Sequence, residues 1–315
     1  MKKALLLLTI AAIFLSSCKK DSSATKPAVT KYKVTFNVTN FSHKQAAFAL
    51  RRHAGSSSAD ALPSLNTYFD VLYYIVWNTE RSAIEEVVQD STMSNMGTIT
   101  DALPAGDYRI SIVAGKNGLV VDPNYFGAND FGYGGNSWQD TFFASFQVTV
   151  GPGGINQGVT LNRVVGKLEV TLLDKIPTNA ANLTISTNQE AYGLDLWQGF
   201  YFFGPLEGVS FTVAIPDSDK GKPNFTIDRL IGNCSGDGFP LNIVCTAADN
   251  SVIASASVQT VYCQANQKTT VSGNLFGALA TSNSQQQFTT VIDTAWGNAT
   301  TQANFRLKTK RSGTH

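Results

Sequence analysis

The stretch Phe69-Asp70-Val71-Leu72-Tyr73-Tyr74-Ile75-Val76-Trp77 decides the fold class of this chain. Aromatic and β-branched side chains dominate it. These types fit a pleated, packed surface, and the run reads as a central β-strand. On its N-terminal side, Tyr32-Lys33-Val34-Thr35-Phe36-Asn37-Val38 alternates apolar and polar with period two, as a half-buried strand does. On its C-terminal side, Thr98-Ile99 leads through Asp101-Ala102-Leu103-Pro104-Ala105-Gly106 into Asp107 to Ala114. The Pro and Gly mark a turn between two strands. Phe142 to Val150 alternates again and is broken by Gly151-Pro152-Gly153-Gly154. A short helix is expected only around Ser82 to Val88, with a helical or irregular turn at Ser58 to Leu65.

A second series of strands begins near Val159. Val164 to Leu173 is rich in β-branched residues. Leu183 to Ser186, Val209 to Ile215, Asn224 to Leu230 and Leu241 to Thr246 follow. Asp249-Asn250 reads as a hairpin turn into Val252 to Val261, then come Thr269 to Phe276 and a last apolar segment, Phe288 to Trp296. Short strands at regular spacing with Pro, Gly, Asn and Asp turns point to all-β sandwiches and not to βαβ units. The Gly-rich break places a domain boundary between Gly154 and Arg163. This gives β-domains at 31–158 and 159–300 and a basic tail at 301–315 that carries Lys308-Thr309-Lys310-Arg311. One long sandwich is the alternative.

The N-terminus carries an address. Met1-Lys2-Lys3 is basic, Ala4 to Leu15 is apolar over the length of a signal h-region, and Leu15-Ser16-Ser17-Cys18 follows. This resembles a bacterial lipoprotein signal. The resemblance implies loss of residues 1–17, a diacylglyceryl and palmitoyl lipid on Cys18, and Cys18 as the mature N-terminus. The stretch from Cys18 to Thr30 opens charged and polar and cannot bury enough apolar surface to fold, so a flexible tether is expected. No Asp follows Cys18 directly, and Lys19-Lys20-Asp21 is similar to the surface-export signals of Bacteroidetes lipoproteins. The expected location is the outer membrane, lipid-anchored and facing the exterior.

Composition narrows the function. Charged residues make up 15% and the formal charge is +1, so there is no electrostatic case for a nucleic-acid partner. Three cysteines follow Cys18, namely Cys234, Cys245 and Cys263, and at most one pair of them can form a disulfide. They show no CxxC spacing and no nearby histidine, so no metal site is expected. The histidines are His43, His53 and His315, outside any recognisable catalytic constellation, and neither HExxH nor GxSxG occurs. Glu85 and Glu86 are adjacent and would point to different sides of a short helix. No catalytic residue and no cofactor beyond the lipid is expected, and the protein reads as non-enzymatic.

Several motifs occur in order: the lipobox, a first β-domain with Leu103-Pro104-Ala105-Gly106-Asp107-Tyr108, a second opening with Asn162-Arg163-Val164-Val165-Gly166-Lys167-Leu168-Glu169-Val170, and Asp293-Thr294-Ala295-Trp296 in the terminal segment. In this the chain resembles the fimbrillin superfamily of Bacteroidetes, nearest to its lipoprotein anchor and accessory subunits. The resemblance implies two tandem transthyretin-like β-sandwich domains and a role as pilus anchor, tip or minor subunit. It also implies fimbrial subunits as partners, joined by strand addition, in which an extended segment completes a neighbour's sheet. Phe288, Val291 and Trp296 are the candidate knobs of a donated strand; the other reading has them completing their own core. Arg51-Arg52 and Arg163 are basic sites near strands. Anchors of this kind keep their first strand, so no processing is expected.

A second reading is adhesion to a glycan or host surface. Asn124 to Trp138 is a Gly/Asn/aromatic stretch between strands, and Tyr125, Tyr133 and Trp138 could stack on sugar rings; the other reading is an ordered loop packed by its own aromatics. Trp197 to Phe203 is a second aromatic cluster and reads as a buried strand. Asp122, Asn124, Asn129 and Asp130 offer oxygens without the spacing of an EF-hand loop.

Overall fold

The computed structural model describes residues 29–42, 68–80, 82–90, 92–122, 130–133, 138–188, 190–203, 209–232, 238–277, 287–293 and 299–304. Tyr32–His315 forms one compact unit and Met1–Lys31 another. The chain is all-β. Its strands begin with β1 (Lys31–Ser42), β2 (Val71–Trp77), β3 (Ala83–Asp90), β4 (Thr98–Pro104) and β5 (Gly106–Gly115). Then come β6 (Leu119–Asp122), β7 (Asp130–Tyr133), β8 (Thr141–Val150), β9 (Ile155–Arg163) and β10 (Gly166–Leu172). The next five are β11 (Ala180–Thr187), β12 (Ala191–Asp195), β13 (Tyr201–Phe203), β14 (Val209–Ala214) and β15 (Phe225–Ile231). The last are β16 (Phe239–Ala247), β17 (Val252–Val261), β18 (Lys268–Gly273), β19 (Gln287–Asp293) and β20 (Ala299–Asn304).

Seven strands make the first sheet, in the order β3-β2-β5-β8-β9-β1-β4. It curls, so that strands far apart in the order share one core. Phe36 of β1 lies 5.9 Å from Tyr74 of β2 and 5.5 Å from Phe146 of β8, between ring centroids. Buried Gln89 on β3 joins the sheet's two edges: its amide donates to the Thr98 carbonyl and its oxygen accepts the Gly97 N–H, both at 2.9 Å. The segment expected to hold a domain boundary carries β9, which pairs parallel with β1 (Val34 opposite Ile155) and meets β8 at Phe142 and Arg163. The turn into it depends on Gly154, at φ +65°, where a Cβ would strike the Lys33 carbonyl oxygen.

The other face of this sheet is also covered. A four-stranded sheet, β13-β12-β7-β6, takes two strands from before β9 and two from after it. It packs Phe131 and Leu194 on Ile75, Trp77, Val113 and Phe143, and the Phe131 and Phe143 rings sit 5.2 Å apart. The strand Val71–Trp77 is therefore buried on both faces, which explains why its sequence is nearly continuous in apolar residues.

The C-terminal region is a two-sheet sandwich, β15-β10-β18-β19-β20 facing β14-β11-β16-β17. Leu168, Val170, Val271 and Phe288 pack against Leu183, Ile185, Ile243 and Val258. β10 alternates buried and half-buried without a break.

Two sequence expectations are corrected. Ser82 to Val88 is not a helix: Ala83–Asp90 is edge strand β3, paired antiparallel with β2, Tyr74 opposite Val87. Ala-Ile-Glu-Glu favours a helix locally, but pairing with β2 and the burial of Gln89 override that preference. Trp197 to Phe203 is not one buried strand. Its first half is a turn fixed by Asp195, whose Oδ1 accepts the N–H groups of Trp197 and Gln198, with Gly199 at φ +75°. Phe200 is 65% exposed, and β13 begins only at Tyr201.

Candidate functional site

The terminal strands come first. β19 lies inside its sheet, paired with β18 on one side and β20 on the other. Phe288 is wholly buried, its ring seated where Gly273 leaves no side chain in the way. Val291 is exposed, and Trp296 lies outside the described residues. Phe288 thus fills the core of its own sandwich. Among the described residues β20 ends the sheet order, pairs with β19 alone, and lies beside β17. Its sequence, Ala-Thr-Thr-Gln-Ala-Asn, has no large apolar side chain to anchor it.

Of the two readings of the aromatic stretch, Tyr133 and Trp138 follow the packed one. Tyr133 and Trp138 are buried, with ring centroids 6.2 Å apart. The Tyr133 hydroxyl accepts the Lys116 N–H at 2.9 Å, and burial pushes its pKa up. The Trp138 indole N–H donates to the Ala191 carbonyl at 2.6 Å, and its ring lies against Gly232, where any side chain would collide with it. Both rings belong to the core under the four-stranded sheet, which consumes the faces a sugar would need. Tyr125 lies outside the described residues, as do Asn124 and Asn129.

Cys245 on β16 is a buried free thiol whose pKa burial pushes up to about 11, which makes it a poor nucleophile. Cys263 is buried just after β17. Cys234 lies outside the described residues, and so do Cys18, Arg51-Arg52, His43, His53 and His315. Arg163 is held by Asp140 through two bonds of 2.7 and 2.8 Å and packs over the Phe142 ring.

Two features escaped the sequence. The first is a cleft of about 500 Å³ on the outer face of the first sheet, where Arg109, Gln147, Asp107 and Thr149 lie beside Asn78 and Trp197. Its only sequence signal is the polar face of β5, Asp107-x-Arg109-x-Ser111, next to the Trp77 strand. The second is the ion pair of Glu190 and Arg229, 2.7 Å apart, which ties the start of β12 to β15. Glu190 is almost fully buried and its Oε2 has no hydrogen-bond partner. Desolvation raises its pKa to about 7, with Arg229 offsetting only part of the effect.

These layers define an all-β protein built of packed β-sheets. The chain belongs to a family of unknown function, DUF6562, whose model matches residues 125–308. Two solved structures of candidate adhesins from Bacteroides ovatus share the fold. One has 11% identity over 74% of this chain and 83% of its own, with a TM-score of 0.50. The other has 10% identity over 86% and 95%, also with a TM-score of 0.50. The fimbrial anchor protein Mfa2 from Porphyromonas gingivalis aligns at 11% identity over 87% of this chain and 99% of its own, with a TM-score of 0.49. At these identities the likeness is one of fold. No curated protein matches the sequence.

Proposed function

We propose that this is a non-enzymatic cell-surface lipoprotein, held in the outer membrane by lipid on Cys18, which takes part in fimbrial anchoring or assembly. The fold it shares with candidate adhesins supports a surface role, and the order of lipobox, tether and β-sandwiches supports the anchoring.

The observation that carries the assembly mechanism is the position of β20. Among the described residues it occupies the last place in the five-stranded sheet and is bonded on one side only. Its sequence carries no large apolar residue, and its backbone pairs with β19. A partner's strand carrying larger apolar residues would replace it against β19, gaining the same ladder and burying more surface. This makes the β19 edge a seat for an incoming strand and leaves Phe288 in its own core.

The test is removal of residues 299–315 from the lipidated protein. The expected outcome is a folded protein that captures more fimbrial subunits from the outer membrane. A truncated protein that captures the same partners in the same amounts would contradict strand replacement. Replacement of Cys18 by Ser tests the anchoring separately: release from the membrane fraction is expected, and undiminished membrane association would contradict it.

A further inference from the structure

The outer face of β5 and β8 changes character along its length. At one end Val113 and Phe143 are covered by the four-stranded sheet. In the middle, Ser111 and Ser145 donate to the carbonyls of Leu196 and Trp197 at 2.5 and 2.9 Å, which fixes the turn above them. At the far end Arg109 and Asp107 stand opposite Gln147 and Thr149 in register, and no strand among the described residues covers them.

Arg109 is built into this end. Its Nη1 donates to Ser145 Oγ and to the Trp197 carbonyl, both at 3.1 Å, and its guanidinium carbon lies 4.9 Å from the Trp197 ring centroid. Trp197 is itself held by the Asp195 turn. The Arg109 Nε is buried without a hydrogen-bond partner. Among the described residues no carboxylate pairs with this guanidinium. The nearest acid in the cleft, Asp107, instead accepts the Thr149 hydroxyl at 2.6 Å. A fixed, uncompensated guanidinium in a concave site suits a carboxylate ligand, to which it offers a charge and planar donors.

The remaining lining chooses the kind of carboxylate. Asn78, Gln147 and Thr149 offer amides and a hydroxyl around the rim, and Asp107 offers an acceptor. These match the hydroxyls of a sugar. An acidic peptide would need a free strand edge or apolar pockets, yet β5 and β8 are both interior strands with their backbones already paired. The volume, about 500 Å³, falls within the roughly 300–1,000 Å³ of small-ligand sites.

We propose that this cleft binds acidic oligosaccharides, with Arg109 taking the sugar carboxylate and Gln147, Thr149 and Asp107 the neighbouring hydroxyls. The proposal does not rest on strand replacement at β19.

The test is titration of the purified full-length chain with uronate- and sialate-containing oligosaccharides, with the same sugars after reduction of their carboxyls to alcohols, and with an oligoglutamate peptide. Binding of at least one acidic sugar is expected, with a loss of about tenfold or more on carboxyl reduction. Arg109→Gln should give a similar loss. Gln147→Ala, at an exposed position, should weaken binding about threefold and leave the melting temperature unchanged. If Arg109→Gln does not fold, carboxyl reduction and Gln147→Ala carry the test. The proposal is overturned by a chain that binds none of the acidic sugars, by equal affinity for the reduced sugars, by undiminished binding in a folded Arg109→Gln protein, or by preference for the peptide.

Discussion

β2 and β10 are both central strands of seven residues, yet they bury their side chains in opposite ways. In β10 burial alternates strictly: Leu168, Val170 and Leu172 point into the C-terminal sandwich, and Lys167, Glu169 and Thr171 point away. In β2 four consecutive residues, Tyr74 to Trp77, are wholly buried. Tyr74 and Val76 face the core inside the curled sheet, and Ile75 and Trp77 face the four-stranded sheet outside it. A strand with one covered face tolerates change at every second position. A strand with two covered faces tolerates it nowhere. The cover over β2 and its neighbours is also incomplete, and where it stops the Arg109 cleft begins.

Substitutions can break this contrast. The largest effect is expected from Trp77→Ala, which empties the outer core and removes the indole N–H that Ser111 Oγ now accepts at 2.9 Å. A loss of about 3–5 kcal/mol in denaturant unfolding is expected. Ile75→Ala and Tyr74→Ala, at adjacent positions, should each cost about 2–5 kcal/mol. A near-neutral result at either would mean that one face of β2 is not truly covered. In the C-terminal sandwich, Gly273→Ala forces a methyl group against the Phe288 ring and should cost about 1–3 kcal/mol by overpacking.

Glu190 gives a pH-dependent prediction. Its folded pKa, about 7, lies above its ordinary value of 4.5, so the native state holds the proton more tightly than the unfolded chain. The resulting stabilisation is complete below about pH 4.5 and is lost as pH rises through 7. Thermal melts should show this one group reducing stability between pH 5 and 8, by an amount on the order of 1–3 kcal/mol. Glu190→Gln should flatten that slope. A slope unchanged by the substitution would show that Glu190 is not its source. The smallest effect belongs to the exposed face of β10. Thr171 hydrogen-bonds Thr226 across the ladder, at 2.9 Å between hydroxyl oxygens, and Thr171→Ala should cost no more than about 0.5–1 kcal/mol.

The legibility of the sequence follows the same contrast. Period two marked Tyr32 to Val38 and Phe142 to Val150, which fall on β1 and β8, and β-branched content marked Val164 to Leu173, which contains β10. The continuous run at Phe69 to Trp77 was legible as a central strand, because two-sided burial leaves no polar positions. The covering sheet was not legible. Its strands are short and come from distant segments, Leu119–Tyr133 and Ala191–Phe203, so no local periodicity joins them. For that reason the sequence left Tyr133 and Trp138 open between an exposed platform and packing groups, and they are packing groups. The edge strand at Ala83–Asp90 was misread because Ala, Ile and Glu give a helix-like pattern that only pairing with Val71–Trp77 overrules. Arg109 was missed because a single arginine in a strand carries no motif; its setting is made by Trp197, 88 residues further on.

The measurement that tests the central claim most directly is mild crosslinking of the intact lipidated protein in its native outer membrane, followed by mass spectrometry of the linked peptides. The account predicts crosslinks between residues 287–304 and a strand of a β-rich fimbrial subunit, recovered as a ladder of increasing mass. Recovery of the protein with no such subunit, or of subunits linked only through other surfaces, would contradict it.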